Sequence, residues 1–257
     1  MDKNKLTLKD KKALVIGIAN EHSIAYGCAK AFKSLGADLA ITYLNEKAKP
    51  HVEPLVKELE ASIFMPCDMI KDGDLEAVFA EITRKWGKLD IALHSIAFAP
   101  KEDLQGRLVD SSAAGFLTAI DVSCHSFIRM ARMSESLMKE GGTLFTMSYY
   151  GAHMVVENYN LMGPVKAALE ATVRYLAAEL GPMIRVNAIS PGPIQTRAAS
   201  GLSHFDELLS VAATKAPAKA LATIDDVGNA TAALATEAGR LITGETIYVD
   251  GGYHIID

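Results

Sequence analysis

The chain has 257 residues, of which 49% are hydrophobic and 22% are charged, and its formal net charge is −5. A chain of this length and composition can bury a full hydrophobic core, which excludes a disordered segment, a fibre and a small disulfide scaffold. It has no basic stripe and no run of about 18 apolar residues, so we expect neither nucleic-acid binding nor a membrane span.

The cysteines and histidines lack the spacing of a disulfide framework or a metal site. Cys28, Cys67 and Cys124 are odd in number and far apart along the chain. The seven histidines form no His-x-x-x-His pair, and the cysteines form no Cys-x-x-Cys pair. We therefore expect reduced packing cysteines, a cytoplasmic location and no bound metal.

Short apolar runs recur along the chain, and most are followed by a stretch with helical character. The predicted strands are Ala13–Gly17, Asp38–Tyr43, Ser62–Cys67, Asp90–His94, Gly142–Met147, Arg185–Ile189 and Glu245–Val249. The predicted helices are Ser23–Leu35, Lys47–Glu60, Asp74–Trp86, Ala114–Lys139 and Tyr159–Leu180. This alternation predicts an α/β fold with a doubly wound, seven-stranded parallel sheet and helices on both faces. Such sheets bind ligands at the carboxyl ends of their strands.

The loop after the first predicted strand has features of a dinucleotide-binding turn. Such a turn needs a glycine where the backbone approaches phosphate, and a helix N-terminus that faces the pyrophosphate. Gly17 ends the strand, Ser23 fits an N-cap, and Gly27 predicts close packing of the helix on the sheet. The usual Gly-x-Gly-x-x-Gly pattern is absent, so the loop alone leaves an ordinary strand-to-helix turn open.

Residues 17–27 have the form Gly-x-Ala-x-x-x-Ser-Ile-Ala-x-Gly, which resembles the loop of the enoyl-acyl-carrier-protein reductases. These enzymes are a divergent branch of the short-chain dehydrogenase/reductase family. Further matching motifs follow in the same order: Cys67-Asp68, His94 to Pro100, Ser148-Tyr149, Asn158 to Asn160, Met162-Gly163, Lys166-Ala167, Arg185 to Ser190, Gly192 to Ile194, Ala198 to Gly201 and Val249 to Gly252. The resemblance covers nearly the whole chain.

The resemblance implies a fold, a reaction and partners. We expect a single Rossmann-like domain over residues 1–257 and a homotetramer built on the helices Ala114–Lys139 and Tyr159–Leu180. The implied reaction is the NADH-dependent reduction of trans-2-enoyl thioesters on acyl carrier protein to saturated acyl thioesters, which completes a cycle of fatty-acid elongation.

The catalytic residues implied by the resemblance are Tyr159, Lys166 and Tyr149. Tyr159 and Lys166 lie seven positions apart, about two turns of the predicted helix, so we expect them on one face. A hydride delivered to Cβ of an enoyl thioester places negative charge on the thioester oxygen, two atoms further on, so the hydroxyl donor must lie farther from the nicotinamide. Tyr159 would stabilise this oxygen, Lys166 would hold the cofactor ribose, and Tyr149 would line the substrate channel.

The remaining candidate residues follow the predicted strands. The expected cofactor-binding set is Gly17, Ser23, Ile24, Leu44, Asp68, Met69, Ser95, Ile96, Lys166, Ile194, Gln195, Thr196, Arg197 and Ala198. The expected substrate-binding set is Ala99, Tyr149, Tyr159, Met162 and Ala199. Asp68 would accept a hydrogen bond from the adenine amino group, although a turn or N-cap aspartate is the alternative interpretation.

The end of the second predicted strand bears on cofactor choice. An arginine there binds the 2′-phosphate of NADP, and the segment Tyr43 to Lys47 contains none. We therefore expect NADH, while Lys47 leaves NADPH open.

Residues 196–210 are predicted to form a lid over the cofactor. The segment is rich in alanine, serine and glycine before it becomes amphipathic, which suits a loose lid. Relatives often carry basic residues here to meet acyl carrier protein, whereas this chain has Asp206 and Glu207. Arg197, Lys215 and Lys219 are alternative carrier contacts.

Two other functions remain open at this point. A short-chain dehydrogenase acting on a carbonyl or hydroxyl group would carry a lysine four residues after its tyrosine, where this chain has Gly163, and an asparagine in the region of Asp121 to Ser123. A dinucleotide sensor without catalysis would be favoured by loss of Tyr159 or Lys166, and both are present.

Overall fold

Parallel strands form the centre of the molecule. The structure is a computed structural model that describes residues 6–196 and 205–256. Within these ranges one sheet has the strand order β3-β2-β1-β4-β5-β6-β7, and every neighbouring pair is parallel. The strands are β1 Lys12–Ile16, β2 Asp38–Tyr43, β3 Ile63–Pro66, β4 Ile91–His94, β5 Gly142–Met147, β6 Ile184–Pro191 and β7 Thr246–Val249. The predicted parallel sheet is confirmed.

Helices cover both faces of this sheet. They are α1 Ile24–Ser34, α2 Lys49–Glu58, α3 Asp74–Trp86, α4 Lys101–Leu104, α5 Ala113–Ile120, α6 Ser126–Glu135, α7 Met162–Leu180, α8 Phe205–Lys215 and α9 Ile224–Ala235. Successive strand side chains point to opposite faces, so Ala13 and Val15 enter one buried cluster while Leu14 and Ile16 enter the other. Among the described helices, none is long and apolar enough to cross a membrane.

The predicted helix Ala114–Lys139 is interrupted. A π-helical turn, Asp121–His125, separates α5 from α6. It carries Ser123, whose hydroxyl accepts a hydrogen bond from Phe98 N at 2.9 Å and donates one to Phe98 O at 3.1 Å. The interruption thereby ties this helical region to the loop that follows β4.

The predicted helix Tyr159–Leu180 begins later than expected. Helix α7 starts at Met162, and Tyr159 lies in the preceding turn. Asn158 and Asn160 have φ values of 62° and 40°, in the left-handed region that asparagine tolerates better than most residues. Tyr159 is therefore not on one helix face with Lys166, and this part of the prediction is wrong.

Helix α9 was not predicted, and it explains Gly27. It begins at a capping box formed by Thr223 and Asp226. A Cβ atom on Gly27 would overlap the carbonyl of Ile224, and one on Gly228 would overlap the carbonyl of Gly27. The predicted close packing at Gly27 is present, but the partner is α9 rather than the sheet.

Candidate active site

A cleft of about 340 Å³ lies at the carboxyl ends of β4, β5 and β6. Its lining includes many of the predicted site residues: Ile24, Ser95, Ile96, Ala99, Tyr149, Tyr159, Met162, Lys166, Ile194 and Thr196. Other lining residues were not predicted: Ala97, Phe98, Leu104, Met147, Ser148, Pro191, Gly192 and Pro193. The walls are mostly apolar with a few polar groups, as is typical of small-molecule sites.

Lys166 supplies a buried positive charge to this cleft. Its side chain projects from α7, the residue is only 4% exposed, and Nζ donates a hydrogen bond to the Met147 carbonyl at 2.7 Å. Burial lowers the pKa of Lys166 to about 8, and nearby Cys124 and Glu170 oppose that shift. The ammonium form therefore predominates at neutral pH and can bind hydroxyl or phosphate oxygens.

Tyr159 faces the same cleft and remains protonated. Burial of its side chain, followed by the charge of Glu170, raises the pKa of Tyr159 well above its ordinary value. The phenol is therefore a hydrogen-bond donor at neutral pH. A Cβ atom added to Gly151 would lie 2.7 Å from the Tyr159 ring, so the loop after β5 packs tightly against it.

Tyr149 is in contact with Tyr159. Their ring centroids are 4.9 Å apart with an interplanar angle of 60°. The Tyr149 hydroxyl is buried, and its interaction with the Tyr150 hydroxyl falls short of regular hydrogen-bond geometry. A buried hydroxyl that is incompletely bonded is costly, so a ligand with a polar atom here would stabilise it. The buried ammonium, the apolar walls and this hydroxyl together fit a nicotinamide dinucleotide with an apolar substrate beside it.

The loop after β1 is organised by Ser23 and Gly17. Ser23 occupies the N-cap of α1, but its hydroxyl accepts hydrogen bonds from Ala19 N and Asn20 N, at 3.0 and 3.1 Å, instead of capping the helix. Gly17 has a φ of 117°, and an added Cβ would overlap the Ser95 carbonyl. In this structure the glycine is required by the neighbouring end of β4, whereas the sequence suggested close approach of a phosphate.

The ends of β2 and β3 place Leu44, Asp68 and Met69 outside the lining of the cleft. Leu44 is 51% exposed. Asp68 Oδ1 accepts a hydrogen bond from Ile70 N at 3.0 Å. This is the arrangement of a turn aspartate, which was the alternative interpretation of Asp68. Met69 is buried, and its carbonyl accepts a hydrogen bond from Arg129 at 2.6 Å. These residues continue the same edge of the sheet, beyond the cleft.

The segment after β6 is described only as far as Thr196. Ile194 and Thr196 line the cleft, while Gln195 is exposed and does not. Arg197, Ala198 and Ala199 lie outside the described residues, as do all residues of the predicted lid from 197 to 204.

Several buried polar residues near the cleft were missed by sequence reasoning. Glu170 is 1% exposed and accepts hydrogen bonds from Ser148 and His153. Its spacing of four residues from Lys166 on an otherwise apolar helix face was a usable signal. His94 is fully buried between Thr146 and Ser126, and burial lowers its pKa to about 3, so it is neutral. Across the described residues, no cluster of three potential ligands could hold a metal ion.

Comparison with known proteins assigns this arrangement to a family. Residues 17–254 match the family model described as enoyl-(acyl carrier protein) reductase. The chain is 45% identical over 250 residues to the NADH-dependent enoyl-(acyl-carrier-protein) reductase FabI of Salmonella typhimurium, covering 96% of this chain and 95% of that protein. It is also 45% identical over 255 residues to the FabI of a Nostoc species, covering 98% of this chain and 99% of that protein.

Solved structures agree with the sequence comparison. The reductase of Anaplasma phagocytophilum in complex with NAD matches with a TM-score of 0.92 and 46% identity, covering 96% of this chain and 95% of that chain. The Bacillus cereus reductase with NADP+ and an indole naphthyridinone matches with a TM-score of 0.95 and 42% identity, covering 97% of this chain and 98% of that chain. The chain belongs to the enoyl-(acyl carrier protein) reductase family.

Proposed function

We propose that the chain reduces trans-2-enoyl thioesters on acyl carrier protein to saturated acyl thioesters, with NADH as the hydride donor, in fatty-acid biosynthesis. The observation that carries the proposal is the pairing of a protonated Tyr159 with a charged, buried Lys166 in one apolar cleft. Family membership and the NADH-dependent relatives support the same reaction.

Tyr159 stabilises the charge that develops on the substrate. When bound, the cofactor supplies a hydride to Cβ of the enoyl thioester, and negative charge then accumulates on the thioester oxygen. The Tyr159 hydroxyl donates a hydrogen bond to this oxygen, in a cleft whose apolar walls reduce competition from water. Its raised pKa keeps the proton on the phenol while the bond forms, and a proton from solvent then adds at Cα to complete the saturated thioester.

Lys166 binds and orients the cofactor. Its ammonium group lies at the base of the cleft, where it can donate hydrogen bonds to ribose hydroxyls and maintain a positive potential beside Tyr159. Its main-chain acceptor, Met147 O, leaves other N–H donors of the ammonium group available for the cofactor. Tyr149 forms one wall of the substrate channel.

The edge from β1 to β3 holds the adenine end in this proposal. Gly17 and Ser23 shape the loop at the N-terminus of α1, Asp68 and Met69 meet the adenine, and Leu44 lies near the 2′-hydroxyl of the ribose. Ser95, Ile96, Ile194 and Thr196 then surround the nicotinamide end. The absence of an arginine after β2 favours NADH, and the NADP+ complex of the Bacillus cereus enzyme makes NADPH the comparison to test.

Residues 196–210 close over the cofactor as a lid in this proposal. The later part of α8 packs through Ala212 and Ala216 against Tyr253, and Tyr150 packs against the same group. Tyr150 in turn contacts Tyr149, with ring centroids 4.8 Å apart. Closure of the lid is therefore connected by aromatic contacts to the substrate channel.

The assembly we propose is a cytoplasmic homotetramer. Leu117 on α5 and Tyr175 on α7 are 64% and 79% exposed, which leaves apolar surface on the helices expected to pair. Light scattering at micromolar concentration tests this, and a monomer would contradict it.

The reaction is tested by the loss of NADH absorbance with two substrates side by side. Crotonyl-CoA presents an enoyl thioester. Acetoacetyl-CoA is a thioester of the same coenzyme A but presents a ketone in place of the double bond. We expect oxidation of NADH with crotonyl-CoA alone. Turnover of acetoacetyl-CoA alone would instead support a carbonyl reductase, and no turnover of either substrate with NADH bound would support a sensor.

A further inference from the structure

Glu170 is a buried carboxylate beside the cleft, and the proposed reaction assigns it no role. It lies four residues after Lys166 on α7 and is only 1% exposed. Ser148 Oγ donates a hydrogen bond to its Oε1 at 2.5 Å, and His153 Nε2 lies 2.5 Å from its Oε2. Burying a carboxylate is costly unless both oxygens are bonded, so these partners stabilise it in place.

These hydrogen bonds attach the loop after β5 to α7. Ser148 directly follows β5, and His153 follows the short 3₁₀ turn Tyr150–Ala152. Lys166 adds a third attachment through the carbonyl of Met147, at 2.7 Å. The loop from residue 147 to residue 153 is therefore held against one face of the helix that carries Lys166.

The same loop determines where Tyr159 lies. Tyr159 precedes α7 and so lacks the support of regular helical hydrogen bonds. Gly151 and Tyr149, both on the loop, pack directly against its ring. A shift of the loop relative to α7 would therefore move Tyr159 relative to Lys166.

We propose that Glu170 is a positioning residue for the reduction, holding the loop of residues 147–153 on α7 so that Tyr159 and Lys166 keep their relative placement. His153 is the partner of Glu170 that faces solvent, and its side chain is 56% exposed. The inference rests on the proposed function, because it assigns Glu170 to the same cleft and the same two residues.

The charge of Glu170 supports this placement. The groups that face it are Lys166 and Tyr159, Tyr248 from β7, and His153. Lys166 also faces Cys124 and His94, and His94 is neutral. Burial lowers the pKa of Lys166 to about 8, and the Glu170 carboxylate is one of the groups that keep it from falling further.

Replacement of Glu170 by glutamine separates this role from a packing role. Glu170→Gln keeps the volume and one acceptor oxygen, but it replaces the other acceptor with an NH2 donor and removes the charge, so the pKa of Lys166 falls. The pH above which NADH affinity declines should move down by about one unit, as fluorescence titration from about pH 6 to about pH 9 would show. At about pH 7.5, kcat with crotonyl-CoA should be about threefold lower, because the protonated fraction of Lys166 falls about threefold, and it should recover as the pH is reduced.

Glu179→Gln is the matched control, because Glu179 is exposed near the end of the same helix. It should leave both the pH profile of NADH binding and kcat at the wild-type values. A Glu170→Gln variant with the wild-type pH profile and kcat would overturn the proposal.

His153→Ala provides a second test if Glu170→Gln does not fold. The exposed position makes misfolding of this variant unexpected, and removal of one attachment should lower kcat severalfold while NADH affinity at neutral pH stays unchanged. A wild-type kcat in His153→Ala would count against the proposal. Failure of the wild-type chain to reduce crotonyl-CoA would instead contradict the proposed function, whereas the NADH titration tests Glu170 without that substrate.

Discussion

At the carboxyl edge of the sheet, the half formed by β1 to β3 and the half formed by β4 and β5 are built differently. At the ends of β1 and β3, Ser23 and Asp68 form hydrogen bonds to main-chain groups of their own loops. At the ends of β4 and β5, Lys166, Ser148 and Ser123 bond across different elements, and all three are buried. Apart from the Arg129 hydrogen bond to Met69 O, the polar contacts named for the first half lie within its own loops, whereas those of the second half join distant elements. We therefore expect substitutions in the first half to affect cofactor binding, and those in the second to affect the chemical step.

The largest expected effect is in the second half. Tyr159→Phe removes the hydroxyl that we propose stabilises the thioester oxygen, and kcat should fall by about 100-fold to 1,000-fold. The dissociation constant for NADH should remain near the wild-type value, because the proposed cofactor contact belongs to Lys166. Steady-state rates with crotonyl-CoA and fluorescence titration with NADH measure the two quantities.

Two variants control this experiment. Tyr26→Phe, which removes a hydroxyl that donates to Glu58 Oε2 at 3.0 Å outside the cleft lining, should leave kcat unchanged. Lys166→Ala should weaken NADH binding, in contrast to Tyr159→Phe. Equal loss of NADH affinity in Tyr159→Phe and Lys166→Ala would show that the separate roles are wrong.

Gly17 is an exception to this division. It belongs to the first half of the edge, but Ser95 in the second half leaves no room for a side chain at position 17. Gly17→Ala places a Cβ against the Ser95 carbonyl at a positive φ, and we expect a loss of about 3 kcal/mol in the free energy of unfolding. Thermal denaturation should show a fall in Tm of about 6–12 °C for a chain of this size.

Gly73→Ala is the matched control for Gly17→Ala. Gly73 has a φ of 88°, but nothing lies within 4 Å of an added Cβ. Its cost should be limited to about 1 kcal/mol of backbone strain. If the two variants lose the same stability, contact with Ser95 is not what requires a glycine at position 17.

A smaller effect is expected at Asp68. Asp68→Ala removes the proposed acceptor for the adenine amino group, so NADH affinity should fall about tenfold, equivalent to about 1.4 kcal/mol. The value of kcat at saturating NADH should not change, because the proposed catalytic residues lie in the other half of the edge. A reduced kcat at saturation would weaken the division between binding and chemistry.

The smallest effect is expected at Leu44. Leu44→Arg places a guanidinium group near the ribose, where it can bind a 2′-phosphate. The ratio of kcat/KM for NADPH to that for NADH should rise by about threefold to tenfold, in line with about 1 kcal/mol for an exposed ion pair. An unchanged ratio would show that Leu44 does not lie beside the ribose.

Features encoded locally could be predicted from the sequence. Buried apolar runs identified the strands, and the family resemblance pointed to Tyr159 and Lys166, which both line the cleft. Helix α9 was missed because its residues are mostly small, and Gly228 lowers helix propensity while allowing close contact with α1.

Other features depend on partners that are distant in the chain. The π turn that carries Ser123 is recognised through its contacts with Phe98, and sequence periodicity does not reveal one additional residue in a turn. The role of Glu170 depends on Ser148 and His153 meeting it from another element. The roles of Arg197, Ala198 and Ala199 remain predictions.

The contact between Gly27 and Gly228 also has a consequence for biosynthesis. About 200 residues separate these glycines, and at ribosomal rates of roughly 5–20 residues per second the second appears about 10–40 s after the first. Until then, α1 lacks the helix against which its backbone rests, and the first half of the cofactor site is without its outer support. NADH should therefore stabilise the nascent chain only late in translation, and C-terminal truncations before α9 should depend on chaperones.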